Sequence, residues 1–430
     1  MQIKELPSVS YSLLAATIFC ISFISTLVQA TENTQSGYKK SSAMAGPESV
    51  KYKLHDNDKE RQSIYYFSTL QETLKPYFDW KRELNTNHGI SVGFSAYWLY
   101  QEAGETSIND TNASGQIYRF QGSWNAIILN DDSTGSLNWR LENRSEIGGQ
   151  IAPATLGGRI TGTQNPDFGY SENFDTDLPV LNWTQGFNGN KAGVAAGRLA
   201  FDAYLDAFAF QTFSRGFLNR AFILSPTMGT TGIGALGAVV KGFVSDKLWL
   251  GAHIYDGNAA SGDFDMDTFK ENEYLKAVEL GWTPSHARHK TDRIQLTYWQ
   301  KDEREKAGSD KGDGWLISAS FQMGDNMLPF VRYGNSDGGA GVVATQSLSG
   351  GIDIQTRPDQ NVSVGLAWSK PNENTFGKNV ENELVIETSY KFQLSKNFSF
   401  TPDLQWLKNP ANLVDEDSTW VASMRGILTL

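Results

Sequence analysis

Cysteine is nearly missing from this 430-residue chain: Cys20 is the only one. A disulfide framework and a thiolate metal site are therefore excluded downstream of it. Beyond Ala30 there is also no run of about 18 apolar residues, so no membrane helix is expected there. Basic charge is in deficit, with 37 Lys and Arg against 48 Asp and Glu and a net charge of −11. That balance argues against a nucleic-acid partner, which needs clustered basic charge. Histidine is sparse: His55, His88, His253, His286 and His289. His286 and His289 are close enough to share a metal, but no third ligand accompanies them, and solvation is the simpler reading. No GxSxG elbow with matching partners occurs, and no other catalytic constellation emerges. No cofactor is implied.

What is abundant is of a different kind. Aromatics make up 12% of the chain, and there are 41 glycines, a combination suited to many strands joined by turns. The amino terminus reads as a secretory signal over residues 1–30. Lys4 supplies a weak positive start, no charge follows between Leu6 and Thr31, and Val28-Gln29-Ala30 fits cleavage after Ala30. The alternative is an uncleaved anchor. No basic cluster follows the apolar run, which disfavours it. Cys20 lacks a lipoprotein context, because Thr17-Ile18-Phe19 precedes it.

Residues 31–55 are polar and aperiodic and read as a flexible extension. In 57–84, Ile64, Phe67, Leu70, Leu74, Tyr77 and Phe78 recur at helical spacing, so 31–84 is expected to be a flexible segment plus a short amphipathic helix. Pro76 should bend or end that helix. A role as a partial plug is one expectation for it. From His88 the period becomes two. Ile90, Val92, Phe94, Ala96, Trp98 and Tyr100 alternate with Ser91, Gly93, Ser95, Tyr97 and Leu99. The pattern returns at 118–128, 137–142, 315–323, 383–392 and 398–406.

Short turn signals such as Asp325-Asn326 and Ser395-Lys396-Asn397 alternate with long polar loops at 102–116, 149–190, 257–272, 301–313 and 371–382. Two unequal ends are what a membrane barrel has. At about 10 residues per strand plus turns, residues 85–430 are long enough for roughly 16 strands. At that width the lumen holds water. A soluble sandwich alternates too. Three features favour a membrane. Aromatics sit at strand ends (Trp98, Tyr100, Trp368, Trp406), and the polar faces pair opposite charges, as Arg140 with Glu142 and Glu387 with Lys391. The chain also ends in an alternating strand from Trp420 to Leu430. The expected fold is all-β: a transmembrane antiparallel β-barrel over 85–430.

Two motif matches dissolve on inspection. Gly232-Ile233-Gly234-Ala235-Leu236-Gly237 is a literal GxGxxG, but it follows Ser225-Pro226-Thr227 and leads into alternating strands rather than a βαβ unit. Asp263-Phe264-Asp265-Met266-Asp267 opens like a calcium loop, yet Thr268 replaces the required glycine and Tyr274 the final glutamate.

The carboxy-terminal third resembles the carbohydrate-selective porin family, OprB. The resemblance rests on Gly350-Gly351-Ile352, Val364-Gly365-Leu366-Ala367-Trp368, Glu387 to Leu394, and Thr401-Pro402-Asp403-Leu404-Gln405-Trp406 with Asn409-Pro410. Proline inside a strand is unusual, which makes this last block fairly specific. Gly197-Arg198-Leu199 with Asp202 and Asp206, then Phe217-Leu218-Asn219, also fits. The resemblance implies a sixteen-stranded barrel of the Gram-negative outer membrane that admits sugars, with lipid and transported sugar as its partners and a monomer or homotrimer as its state. A terminal phenylalanine is usual in such barrels, and Leu430 departs from it.

A sugar path needs weak hydrogen-bonding groups and aromatic faces. By strand parity the inward candidates are Arg140, Glu142, Arg144, Trp299, Glu387, Asp403, Gln405 and Arg425. Arg198 and Asp202 join them through the family-like segment. For each, the plain alternative is a wall residue paired with its neighbour. The constriction loop is not identifiable from sequence. A general or charge-selective porin on the same barrel is the second reading, and a soluble exported β-rich enzyme or lectin the third.

Overall fold

A backbone that crosses hydrocarbon must satisfy every amide internally, and for strands only a closed sheet does so. The computed structural model describes residues 45–131, 133–167, 170, 174–262 and 271–430, and shows such a sheet. The signal segment 1–30, the polar stretch to residue 44 and the acidic 263–268 motif lie outside the described residues.

The sixteen strands are β1 (Ile90–Ala103), β2 (Asn112–Ile128), β3 (Thr134–Glu146), β4 (Phe174–Phe187), β5 (Ala192–Leu199), β6 (Ala235–Phe243), β7 (Leu248–Asp256) and β8 (Tyr274–Trp282), then β9 (Arg293–Lys301), β10 (Gly312–Ser320), β11 (Met327–Ser336), β12 (Ala344–Arg357), β13 (Gln360–Pro371), β14 (Glu383–Gln393), β15 (Phe398–Lys408) and β16 (Ser418–Thr429). Each pairs antiparallel with its chain neighbours, and β16 closes on β1 with Ser95 opposite Thr429 and Ala103 opposite Val421. Leu430 completes the seam by exchanging backbone hydrogen bonds with Phe94.

Strand parity sorts the side chains as the alternation predicts. Val240, Val278, Leu366, Ile386 and Leu404 face outward, each about half exposed. Trp124, Phe187 and Trp282 flank that apolar belt near the short turns, while Tyr298, Trp315, Trp406 and Trp420 flank it near the long loops. Amphipathic rings in two girdles mark the two interfaces of a membrane. Gly232–Gly237 is a loop running into β6.

Two regions differ from the sequence expectation. Part of the supposed loop 149–190 is strand β4. Pro179 and the acidic Asp175 and Asp177 interrupt its alternation, and its pairing with β3 slips between Arg140 and Arg144. The supposed flexible extension contains helix α1 (Val50–Asn57), which buries Val50, Lys53, Leu54 and Asn57. That is a helical stripe whose apolar pattern is broken by a lysine and an asparagine, because its surroundings are polar. The second helix, α2 (Ser68–His88), runs through Pro76 without ending there, and of its residues only Lys81 is buried.

Val278 stands at the middle of β8 and is 54% exposed on the outer face. Val278→Arg is expected to cost about 2–4 kcal/mol, the depth-dependent cost of a cation at the bilayer midplane. Urea titration of folding into lipid vesicles measures it, and an inward Ser389→Ala control should change stability far less.

Candidate functional site

The barrel alone would be an open tube. Two of the long connections, over 147–167 and 200–234, fold back inside it, and their backbones find partners on the wall. In 200–234, the Leu218 and Asn219 amides donate to the Glu387 carboxylate at 2.5 and 3.0 Å. Arg425 donates to the carbonyls of Arg215 and Gly216, both at 3.0 Å. The Asp206 amide donates to Glu279 at 2.6 Å, while its carboxylate pairs with Arg332. Phe210 meets Phe330 of β11 at 4.6 Å and Phe217 meets Phe222 at 4.8 Å between ring centroids, so an apolar cluster sits inside the lumen under the loop. The shorter fold-back uses the same device. Gly162 and Thr163 amides donate to Glu383 at 3.0 and 2.9 Å. Gln405 and Gln101 both donate to the Pro166 carbonyl.

A third inward element comes from the amino-terminal side. The Gly46 amide donates to Ala203 at 2.7 Å, and a side chain at Gly46 would meet Ala207, so the approach requires glycine. Glu48 then pairs with Lys53 at 2.8 Å and with Arg119 of β2 at 3.0 Å, and its carbonyl accepts from Arg140. Lys51 donates to Thr134 and Ser136, and Asn57 to Ser95, near the short-turn end. Burial alone would raise the Glu48 carboxyl, but Lys53, Arg119 and Arg140 outweigh it and hold it at about 2. Its folded pKa is depressed, so its contribution is complete above the ordinary 4.5 and is lost as pH falls through about 2. The anchor therefore persists across the neutral range.

All ten sequence candidates lie in the interior, but the wall residues serve mainly as anchors and ion pairs. Arg140, Glu142 and Arg144 form a ladder on β3 in which Glu142 bridges Arg119 and Arg144. Arg198 pairs with Asp177 of β4 at 3.1 Å, and Asp177 stands opposite Glu142 in the β3–β4 register. Glu387, Asp403, Gln405 and Arg425 cluster beneath the inward loop, where Gln405 donates to Asp403 and accepts from Asn219. Trp299 is 0% exposed and packs against Gly229, Gly314 and the loop, so it offers no face to passing solute. Asp202 lies on the loop itself, in a short 3-10 turn, half-buried. Sequence reasoning missed Glu48, whose polar context carries no periodic signal. It also missed Arg119, Glu279 and Arg332, which inward parity alone could have selected.

Asp202 carries the titration of interest. Burial, then the negative charge of Glu48, pushes its carboxyl up to about 6 against the opposing pull of Arg140, Arg119 and Arg144.

The profile of the Carbohydrate-selective porin, OprB family, matches residues 286–430. Among solved structures, OprB of Pseudomonas putida at high pH is similar with a TM-score of 0.64 and 14% identity, covering 86% of this chain and 99% of that one. Its low-pH structure gives 0.48 and 13%, covering 86% and 100%. A variant of Rh. blastica porin gives 0.49 and 11%, covering 79% and 100%. No curated protein matches. The first similarity shows a shared barrel fold, and the profile shows that the carboxy-terminal third carries the family's sequence pattern.

Glu387→Ala leaves two loop amides without an acceptor, at about 1–3 kcal/mol each. The variant should give larger and noisier single-channel currents and faster proteolysis within 200–234, both read on protein that still migrates as a folded barrel. As pH falls through about 6, Asp202 becomes neutral and the lumen loses a negative charge. The cation-to-anion permeability ratio should then drop between about pH 7.5 and about pH 5. Reversal potentials in a KCl gradient measure this, and Asp202→Asn should flatten the change.

Proposed function

We propose that this chain is an outer-membrane porin through which small polar solutes diffuse, with a preference for sugars. One observation supports the reading above the others. The lumen is narrowed by inward loops held on wall carboxylates and arginines, inside a barrel whose carboxy-terminal third matches a carbohydrate-selective porin family. A soluble enzyme or lectin would bury the face that here is apolar and exposed around the whole barrel. In the lumen, hydroxyls, amides and paired charges offer many weak contacts and no single deep well, which is the condition for conduction. Residues 1–30 act in this reading as an export signal cleaved after Ala30. Residues 31–84 are a separate segment ahead of the barrel, of which 45–57 enters the lumen.

Planar-bilayer recording of detergent-extracted protein tests the proposal. Discrete channels partly blocked by glucose or by maltose-type sugars are expected. Open channels indifferent to sugar would leave a general porin, and a protein soluble without detergent that forms no channels would overturn the membrane reading.

A further inference from the structure

The apolar belt of the barrel ends near the short turns, but exposed apolar surface does not. Arg61 still reaches Thr429 on the inner face. The next residues cross the rim, where the Ile64 and Tyr65 amides donate to the Gln393 and Leu394 carbonyls at the foot of β14, at 2.9 and 3.0 Å. Ile64, Tyr65, Tyr66 and Phe67 are then all exposed, Tyr66 to 79%. On the wall beside them, Tyr390 and Phe392 share the parity of the outward Ile386 and bring their rings to 4.3 Å. Four large apolar side chains in a row, set against the foot of a lipid-facing wall, mark an interaction surface.

Helix α2 continues that surface. Leu70, Leu74, Tyr77, Lys81, Leu84 and His88 recur at intervals of three and four, so they form one stripe. The stripe faces the end of the barrel. Its buried member, Lys81, donates to Asp58 at 2.7 Å, just past α1. Close by, Asn85 donates to Ser91 of β1 at 2.8 Å, and Phe78 lies 5.5 Å from Lys396 in the β14–β15 turn. These ties hold the second half of the helix against the rim. The first half has none, since the described hydrogen bonds of 68–76 stay within the helix and its cap. Leu70 is exposed there on the face turned toward the rim, and Trp80 flanks the stripe, 49% exposed. On the opposite face Asp79 pairs with Lys75 at 2.5 Å and with Arg82 at 3.0 Å.

We propose that 64–88 is an interfacial element that lies flat on the lipid leaflet at the short-turn end. Tyr66, Phe67, Leu70 and Trp80 enter the boundary between headgroups and acyl chains, and the face of Glu72, Lys75, Asp79 and Arg82 stays in water. The helix is about 31 Å long, so with its second half fixed beneath the rim its first half reaches out under the surrounding lipid. The occupant is a lipid surface because the exposed rings run on from Tyr390 and Phe392 of the barrel's own belt into 64–67. Glu72, Asp79 and Glu83 balance Lys75, Lys81 and Arg82, so apolar area rather than attraction to anionic headgroups holds the helix down. Docked in this way, the helix fixes the outer end of a segment whose inner part, 45–57, sits in the lumen. The proposal rests on the membrane reading of the barrel and not on what the pore conducts.

Cys20 is the only cysteine, so single sites can be labelled with a nitroxide in a Cys20→Ser background. Tyr66→Cys and Leu70→Cys report the proposed lipid face, Glu72→Cys the polar face, and Leu366→Cys the outer belt of the barrel. Each protein is reconstituted as a folded barrel into vesicles of phosphatidylethanolamine and phosphatidylglycerol. Relaxation of the label by oxygen, which partitions into lipid, is compared with relaxation by a water-soluble nickel chelate present on both sides of the bilayer. The oxygen-to-nickel ratio should be several-fold higher at positions 66 and 70 than at 72, should approach that at 366, and should not change as salt rises. Ratios at 66 and 70 no higher than at 72 would put the helix in water and overturn the proposal. Poor access of both reagents to 66 and 70 would reveal a protein cover, a second copy of the chain or the barrel itself, and would overturn it too. Position 366 separates the two readings. A lipid ratio there with a water ratio at 70 overturns the docking of the helix alone, whereas a water ratio at 366 overturns the membrane reading and this proposal with it.

Discussion

The structure depends on one requirement: backbone amides placed at membrane depth must have acceptors, because lipid supplies none. The sixteen strands meet it by closing on themselves. The two fold-back loops lie inside the lumen and do not run as strands, and several of their amides and carbonyls are met by side chains from the wall. Glu279, Glu383 and Glu387 accept loop amides, and Arg425 donates to loop carbonyls. A carboxylate on the inner face of such a barrel is therefore first a means of holding irregular chain inside the tube. Its cost of desolvation is offset by charge-assisted hydrogen bonds, which are about twice as strong as neutral ones.

This explains why parity succeeded at locating residues and fell short on their roles. Alternation states which face a side chain takes, and Arg140, Glu387, Asp403 and Arg425 do point inward. What then touches them depends on chain far away in sequence: Glu387 meets Leu218 and Arg425 meets Gly216. No local pattern encodes that pairing. Within the loop, residues 208–222 carry phenylalanines at 208, 210, 213, 217 and 222, which in isolation resemble neither a strand nor a solvated loop. They become intelligible only against Tyr97 and Phe330 of the wall.

The barrel was largely legible, since its outer face meets a uniform solvent and so obeys a uniform rule. The exceptions follow the same logic. Strand β4 escaped notice because Pro179 and its acidic neighbours face a slipped pairing with β3 rather than a regular ladder. Helix α1 escaped because it is buried in a polar interior, where a helix needs Lys53 and Asn57 on its inner face as much as Val50 and Leu54. Hydrophobic periodicity detects burial in apolar surroundings, and here Lys53 and Asn57 are buried among polar partners.

The same separation of inside from outside governs electrostatics. The net charge of −11 is a property of the whole chain, and a permeating solute senses only the lining. Narrow passages with low-dielectric walls focus the field of nearby groups. Around Glu48 the signs alternate, since Lys53 and Arg119 flank it and Glu142 follows. Charge compensated in this way suits neutral hydroxyl-bearing molecules. Selectivity in such a pore is then a sequence of local fields set by which wall charges the loops have already engaged.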